Sequence, residues 1–238
     1  MDLKNKRFGL QKMTLLDYPG RVACTVFSHG CNFRCPFCHN AMLVLPDGDR
    51  SGLFTGEEIL TFLKKRQGLL DGVCFTGGEP LLGDGIFEML RAVRDLGYRI
   101  KVDTNGSFPD RLQRLLEADL TDYVAMDIKN SPEKYAETVG NVPGFSLDAV
   151  RNSVELLWNS RIDHEFRTTV AHPFHTPEDF EAVGQWLQGA PRYFLQKFTE
   201  HGELLGDMPD MGALSDELMH ACLETVKPYI PAAELRGM

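Results

Sequence analysis

The chain has 238 residues, of which 25 are Lys or Arg and 34 are Asp or Glu, so its formal net charge is -9. This acidic balance argues against nucleic acid or anionic lipid as a partner, because both attract a basic surface. No stretch approaches the roughly 20 apolar residues of a membrane span. Four of the first seven residues are charged, and no apolar run follows them as it would in a signal peptide. We therefore expect a cytoplasmic protein with reduced thiols and neither a nucleic-acid nor a membrane partner.

Short apolar runs alternate with amphipathic segments along the chain. The predicted strands are 22–27, 73–76, 98–102, 123–126, 165–170 and 193–198. Capping residues and helical apolar spacing predict helices that begin near Thr55, Ile86, Pro109, Ser146, Thr176 and Ser215. Regular alternation of strand and helix indicates an α/β fold with a parallel sheet. Six units are too few to close an eight-stranded barrel, so we predict a partial (β/α)6 TIM-like barrel.

We find no linker-like composition that would divide the chain. The sequence therefore predicts one domain over 1–238, with an N-terminal extension at 1–21, a core at 22–227 and a tail at 228–238. Residues 199–213 read as a loop, and we expect the tail to be frayed.

Three of the six cysteines lie within eight residues, in the order Cys31, Cys35 and Cys38. Thiolates at the spacing CxxxCxxC suit a soft metal centre, and two interpretations are open. One is a zinc site that takes His39 as a fourth ligand, although adjacent ligands make tetrahedral geometry awkward. The other is a [4Fe–4S] cluster with one iron left open for a substrate. The remaining cysteines are expected to be small core residues: Cys24, Cys74 and Cys222.

The cysteine spacing, with Phe37 just before the third cysteine, resembles the radical S-adenosylmethionine (radical SAM) superfamily. In that family the open iron is chelated by S-adenosylmethionine (SAM), which is split after one-electron reduction. The segments around Gly9, Asp17 and Gly30, as far as Asn40, resemble the activating proteins of anaerobic ribonucleoside-triphosphate reductase. Those proteins are related to pyruvate formate-lyase activating enzyme. The resemblance implies one radical SAM domain with a single cluster on Cys31, Cys35 and Cys38, because no further cysteine set follows.

The resemblance also assigns roles to residues at the ends of the predicted strands. Gly77, Gly78 and Glu79 match the motif that receives the SAM amino group. Lys129 matches a residue near the SAM carboxylate, and Gln196 matches one that contacts adenine or ribose. Phe37 and His39 match positions that pack near SAM. Turns, solvated side chains and surface ion pairs remain alternative readings of these residues.

A monovalent cation near SAM is a further implication of the resemblance. By matching position its ligands would be Asp103, Thr104 and Asp127, and oxygen ligands suit a hard cation. Arg167 is expected either to reach this site as a cationic partner or to form a structural ion pair.

The resemblance implies a radical SAM enzyme that generates a glycyl radical on a partner enzyme, anaerobic ribonucleotide reductase. The electron donor would be a protein such as flavodoxin or ferredoxin. Two alternatives stay open. One is a radical SAM enzyme that acts on a small molecule such as a deazapurine precursor, and the other is a non-catalytic zinc or iron–sulfur protein.

Overall fold

The computed structural model describes residues 3–38, 40–45, 52–199, 204–206, 208 and 210–238. The strands, in chain order, are β1 (Arg7–Thr14), β2 (Ala23–Ser28), β3 (Phe54–Thr55), β4 (Gly72–Gly77), β5 (Arg99–Thr104), β6 (Tyr123–Asp127), β7 (Asp163–His172), β8 (Tyr193–Lys197), β9 (Gly212–Ala213) and β10 (Ala233–Arg236). The helices are α1 (Ala41–Val44), α2 (Gly56–Lys64), α3 (Ile86–Asp95), α4 (Pro109–Glu117), α5 (Tyr135–Thr138), α6 (Leu147–Trp158), α7 (Asp179–Trp186) and α8 (Asp216–Val226), with a 3₁₀ turn at Pro80–Leu82.

The six predicted strands form the parallel heart of one sheet, in the order β2-β4-β5-β6-β7-β8. Within the described residues, the path runs on to β1 and β3 at one edge and to β10 at the other. In the part of the chain that the structure describes, these two edges do not pair with each other. The predicted α/β class and the partial, open barrel are confirmed.

Both ends of the chain contribute strands that the sequence did not predict. In the extension, β1 pairs antiparallel with β2. In the tail, β10 pairs parallel with β8, from Ala233 beside Tyr193 to Arg236 beside Gln196. The expectation of a frayed tail is therefore wrong. The loop expected at 199–213 is interrupted by β9, which pairs with β7, and residues 200–203, 207 and 209 of that loop lie outside the described residues.

Helix starts follow the predicted caps closely. The Thr55 hydroxyl accepts from the Glu58 amide at 3.1 Å, and the Glu58 carboxylate accepts from the Thr55 amide at 2.7 Å, which completes the capping box. The Ser146 and Ser215 hydroxyls cap α6 and α8 by accepting from the Ala149 and Leu218 amides, without the reciprocal bond. At Thr176 the helix starts later than predicted, because the Asp179 side chain first closes a turn onto the Thr176 amide at 2.9 Å.

The apolar core lies between the sheet and these helices. Cys24, Cys74 and Cys222 are fully buried, as predicted for packing residues. No helix in the described part of the chain is both long enough and apolar enough to cross a membrane.

Candidate functional site

The carboxyl ends of the parallel strands open into a cavity of about 180 Å³. Ligand sites commonly lie at this edge of an α/β sheet, where loops from several strands converge. The cavity is lined by Cys31, Phe33, Cys35, Phe37, Cys38, Asn40, Val44, Thr76, Gly77, Gly78, Glu79, Asp103, Thr104, Asn105, Asp127, Lys129 and Thr169. Eleven of the thirteen predicted site residues thus share one cavity. The other two are Gln196, which the structure places elsewhere, and His39, which lies outside the described residues.

The three clustered cysteines occupy the loop between β2 and α1. The Arg34 guanidinium braces this loop by donating to the carbonyls of Cys31 and Phe33, both at 2.7 Å. Two N–H groups approach the Cys31 sulfur: the Phe33 amide at 3.4 Å and the Asn105 side chain at 3.8 Å. Such donors stabilise negative charge on sulfur, which a metal-bound thiolate carries.

Burial makes these thiols poor acids. It raises the pKa of Cys31 to about 11, and the Glu79 carboxylate adds to the increase. It raises the pKa of Cys35 to about 12, although Lys129 acts in the opposite direction. Metal ligation requires the thiolate, so a positively charged group bound in the loop must supply the missing stabilisation. An iron–sulfur cluster provides such charge, and the thiol donor set fits it.

No three His, Cys, Asp or Glu side chains among the described residues converge as they would around a single metal ion. A [4Fe–4S] cluster does not require such convergence, because each cysteine binds a different iron. A single cation would require the oxygens of Asp103 and Asp127 to converge on it. Both carboxylates instead form the ion pairs described below.

The glycine-rich segment after β4 holds the cysteine loop by backbone contacts. The Gly78 amide donates to the Ser28 carbonyl at 2.9 Å, and the Glu79 amide donates to the Gly30 carbonyl at 2.8 Å. A Cβ added at Gly78 would lie 2.6 Å from the Gly30 carbonyl carbon. At Gly77, φ is +111°, a conformation that favours glycine. These glycines are therefore required by the packing of two loops, besides lining the cavity.

The Glu79 side chain ties β4 to β5. It is almost fully buried, and it accepts from the Leu81 amide at 2.9 Å, the Thr104 hydroxyl at 2.8 Å and the Asn105 amide at 2.7 Å. Burial raises the pKa of Glu79 to about 7 against these three hydrogen bonds. The carboxylate is thus bound within the protein and fixes the loop that carries Asn105.

Asp103 and Asp127 stand on neighbouring strands and share one arginine. The Arg167 guanidinium lies 3.3 Å from Asp103 and 2.9 Å from Asp127, and Lys129 Nζ lies 3.0 Å from Asp127. Burial alone would raise the pKa of Asp127, but Arg167 and then Lys129 outweigh it and hold the pKa at about 2. Asp127 in turn outweighs burial at Lys129 and raises the pKa of that ammonium. Lys129 is therefore a fixed positive charge at the cavity wall.

Phe37 packs on Phe174 with ring centroids 5.3 Å apart, and this contact presents it to the cavity from the cysteine loop. Gln196, in the described part of β8, pairs in register with Thr169 and Arg236 and is not a lining residue. Its predicted contact with the SAM nucleoside stays a prediction.

Sequence reasoning assigned no role to six residues that line the cavity: Phe33, Asn40, Val44, Thr76, Asn105 and Thr169. The Asn40 side chain donates to the Gly77 carbonyl at 3.3 Å and so joins two of the loops. Thr169 was detectable in principle, because the two-residue repeat of a strand places it on the same face as Arg167.

The fold and the cavity define a class of protein. The chain belongs to the Radical SAM superfamily, whose pattern matches residues 25–187. It is a radical SAM enzyme, and the expectation of a [4Fe–4S] cluster and SAM as cofactors is confirmed.

Individual relatives narrow the comparison. A protein of Methanocaldococcus jannaschii named as a glycyl-radical enzyme activating enzyme is 31% identical over 80% of this chain and 78% of its own. A pyruvate formate-lyase-activating enzyme of Listeria monocytogenes is 29% identical over 76% of this chain and 75% of its own. A 7-carboxy-7-deazaguanine synthase of Clostridium acetobutylicum is 32% identical over 50% of this chain and 53% of its own.

Among solved structures, SuiB of Streptococcus suis bound to S-adenosylmethionine superposes with a TM-score of 0.65. The identity is 15%, and the alignment covers 88% of this chain but 49% of SuiB. This likeness supports the partial barrel as a fold.

Proposed function

We propose that this protein is an activating enzyme that generates a glycyl radical on a partner enzyme, and that the partner is anaerobic ribonucleoside-triphosphate reductase. The observation that carries the proposal is the single cavity in which the three-cysteine loop faces the carboxyl ends of β4, β5 and β6. The similarity to named activating enzymes over about four fifths of the chain supports the same reading.

The residues of the cavity divide the work of holding the cofactors. Cys31, Cys35 and Cys38 would ligate the cluster. SAM, reduced at such a cluster, supplies a 5′-deoxyadenosyl radical that can abstract hydrogen from a carbon atom. The backbone at Gly77 and Gly78 lines the place of the methionine moiety, and Lys129 offers a partly buried positive charge to its carboxylate.

A protein substrate requires access to this cavity. In the described residues the sheet ends at β3 and β10 without closing, so the barrel has an open side. A glycine loop of a partner is thin enough to enter such an opening, and its Cα radical is stabilised by the two flanking amides. The electron needed for SAM cleavage would come from a small redox protein such as flavodoxin or ferredoxin.

The first experiment tests the cofactor chemistry. After anaerobic reconstitution with iron and sulfide, the reduced protein should convert SAM to 5′-deoxyadenosine and methionine, measured by chromatography. Cys31→Ala, Cys35→Ala and Cys38→Ala should each lose the cluster. Cys222→Ala, which removes a buried thiol of α8, is the matched control and should retain it. An intact cluster in all three loop variants would refute the ligand set.

The second experiment tests the partner. The reconstituted protein is incubated with SAM, a reductant and an anaerobic ribonucleoside-triphosphate reductase from the same organism, and EPR is recorded. We expect the doublet of a glycyl radical. SAM cleavage without that signal would favour the alternative function, a radical SAM enzyme acting on a small molecule such as a deazapurine precursor, to which the match with 7-carboxy-7-deazaguanine synthase points.

A further inference from the structure

Asp103 and Asp127 have no carboxylate oxygen left for a bound cation. The Arg167 side chain places Nε 3.0 Å and Nη2 2.9 Å from Asp127 Oδ1, and its Nη1 3.3 Å from Asp103 Oδ2. Asp103 Oδ1 accepts from the Lys101 ammonium, and Asp127 Oδ2 accepts from Lys129 Nζ at 3.0 Å. Each of the four oxygens therefore already faces a cationic nitrogen.

The third predicted cation ligand is also engaged. The Thr104 hydroxyl donates to Glu79 at 2.8 Å, and its oxygen accepts from the Gly106 amide at 3.2 Å. Binding a cation through this oxygen would compete with bonds that hold the ends of β4 and β5 together.

The charge count points the same way. Two carboxylates face three cationic groups, Lys101, Lys129 and Arg167, so this set has one positive charge in excess. The side chain of Lys101 is 2% exposed and that of Arg167 is 14% exposed, so water screens them little. Lys129 and Asp127 are partly exposed, at 17% and 30%. Adding a monovalent cation would bring a fourth positive charge into this largely buried set.

Backbone register explains why arginine occupies this position. Arg167 pairs with Asp127 between β6 and β7, and Asp103 lies one strand further on β5. A guanidinium has five N–H donors in a planar fork and stays charged at all working pH values. It can therefore bridge carboxylates on two strands, as a metal ion would.

We propose that the Arg167 guanidinium takes the place of a bound monovalent cation between Asp103 and Asp127, so that this enzyme binds SAM without such a cation. Arg167 is a positioning residue, because it acts through Asp127 on Lys129, which faces the cavity. Only the statement that SAM binds without a cation rests on the proposed function. The replacement of the cation by Arg167 disagrees with the cation site that the family resemblance implies.

The test compares full-length proteins in KCl, NaCl and tetramethylammonium chloride at equal ionic strength. The wild-type melting temperature should be the same in all three salts, and thallium(I) NMR lines should not be broadened by it. Arg167→Met and Arg167→Gln should each gain a K⁺-specific rise, about 3–6 °C at ten times the dissociation constant, and should broaden the thallium lines. Arg114→Met is the control, since Arg114 pairs with the exposed Asp84 away from this set.

Two outcomes overturn the proposal. One is a saturable K⁺ effect on the wild type that Asp127→Asn abolishes. The other is the absence of a K⁺ response in both Arg167 variants, including failure of both to fold in KCl. Equilibrium dialysis of SAM is measured separately on the reconstituted proteins. Loss of SAM binding by every protein would refute the proposed function and leave the salt result intact.

Discussion

Replacing Gly78 by alanine tests whether the glycine-rich segment supports the cysteine loop. The added Cβ would lie 2.6 Å from the Gly30 carbonyl carbon, and closer still to the oxygen, whereas Cβ atoms keep at least 3.0 Å from other heavy atoms. The two backbones would have to separate by at least 0.4 Å at that carbon. Gly30 immediately precedes Cys31, so the displacement reaches the first of the proposed cluster ligands directly.

The cost follows from the contacts that would be lost. Two backbone hydrogen bonds join the loops, Gly78 to Ser28 and Glu79 to Gly30, and each contributes about 1 kcal/mol net. Steric overlap in a packed region costs about 1–3 kcal/mol more. We therefore expect Gly78→Ala to lower the free energy of unfolding by about 3–5 kcal/mol.

The matched control lies five residues away. Gly83 has a φ of -139°, and nothing lies within 4 Å of a Cβ added there, so Gly83→Ala should be neutral or slightly stabilising. Urea unfolding measures stability, and iron content per chain after reconstitution measures the cluster. Equal stability and equal iron in the two variants would show that this contact does not support the loop.

Two further predictions concern the opposite end of the barrel and the pH dependence of stability. Arg236→Met should lower the free energy of unfolding by about 3 kcal/mol, because it removes the guanidinium that lies 2.9 Å from the buried Glu165 carboxylate. The double variant with Glu165→Gln should recover most of this loss, as measured by urea unfolding. No recovery in the double variant would contradict an ion-pair role. Burial lowers the pKa of His175, so the unfolded chain binds more protons and stability should fall as the pH drops below 6.5. In thermal melts between pH 5 and pH 8, His175→Gln should show a weaker dependence of stability on pH than the wild type. His220→Gln, a variant at an exposed site, should keep the full dependence. Identical pH profiles for the two variants would show that His175 is not the group responsible.

The sequence predicted the parallel core because each core strand combines apolar and β-branched residues over several positions. It missed β10 because Ala233–Arg236 is short and half charged, and its pairing depends on β8, nearly forty residues earlier. It missed β1 for a related reason. The eight residues of Arg7–Thr14 show no regular alternation of buried and exposed side chains.

The sequence predicted most of the candidate site residues that line the cavity, but it did not predict the ion pairs that they form. The cysteine spacing and the strand-end motifs identified residues that share the cavity. The partners of Asp103 and Asp127 did not follow, because Arg167 is forty residues from Asp127 in sequence and meets it only through the register of β6 and β7. A sequence motif indicates which residue type lies at the end of a strand. The pairing register of adjacent strands determines which charged side chain lies next to it.

Alternation along the strands explains how the charges behind the cavity are held. On β5, Lys101 lies two residues before Asp103, and on β7, Glu165 lies two residues before Arg167, so each pair faces the same side of the sheet. Tyr123 on β6 donates to Glu165 at 2.7 Å, and Lys101 stands 6.0 Å from the centre of the Tyr123 ring. This chain of contacts links the Arg236–Glu165 pair at one end of the barrel to the Asp103–Arg167 pair at the other.

This network of ion pairs fixes the positions of the charged side chains at the site. Buried ion pairs contribute little net stability relative to apolar packing, but removing one partner is expensive because it leaves the other charge uncompensated. The position of Lys129 is therefore fixed by Asp127 and Arg167, at the cavity wall where an anionic ligand group would meet it. A site organised in this way gains preorganisation, because the protein fixes these charges when it folds and not when the ligand binds.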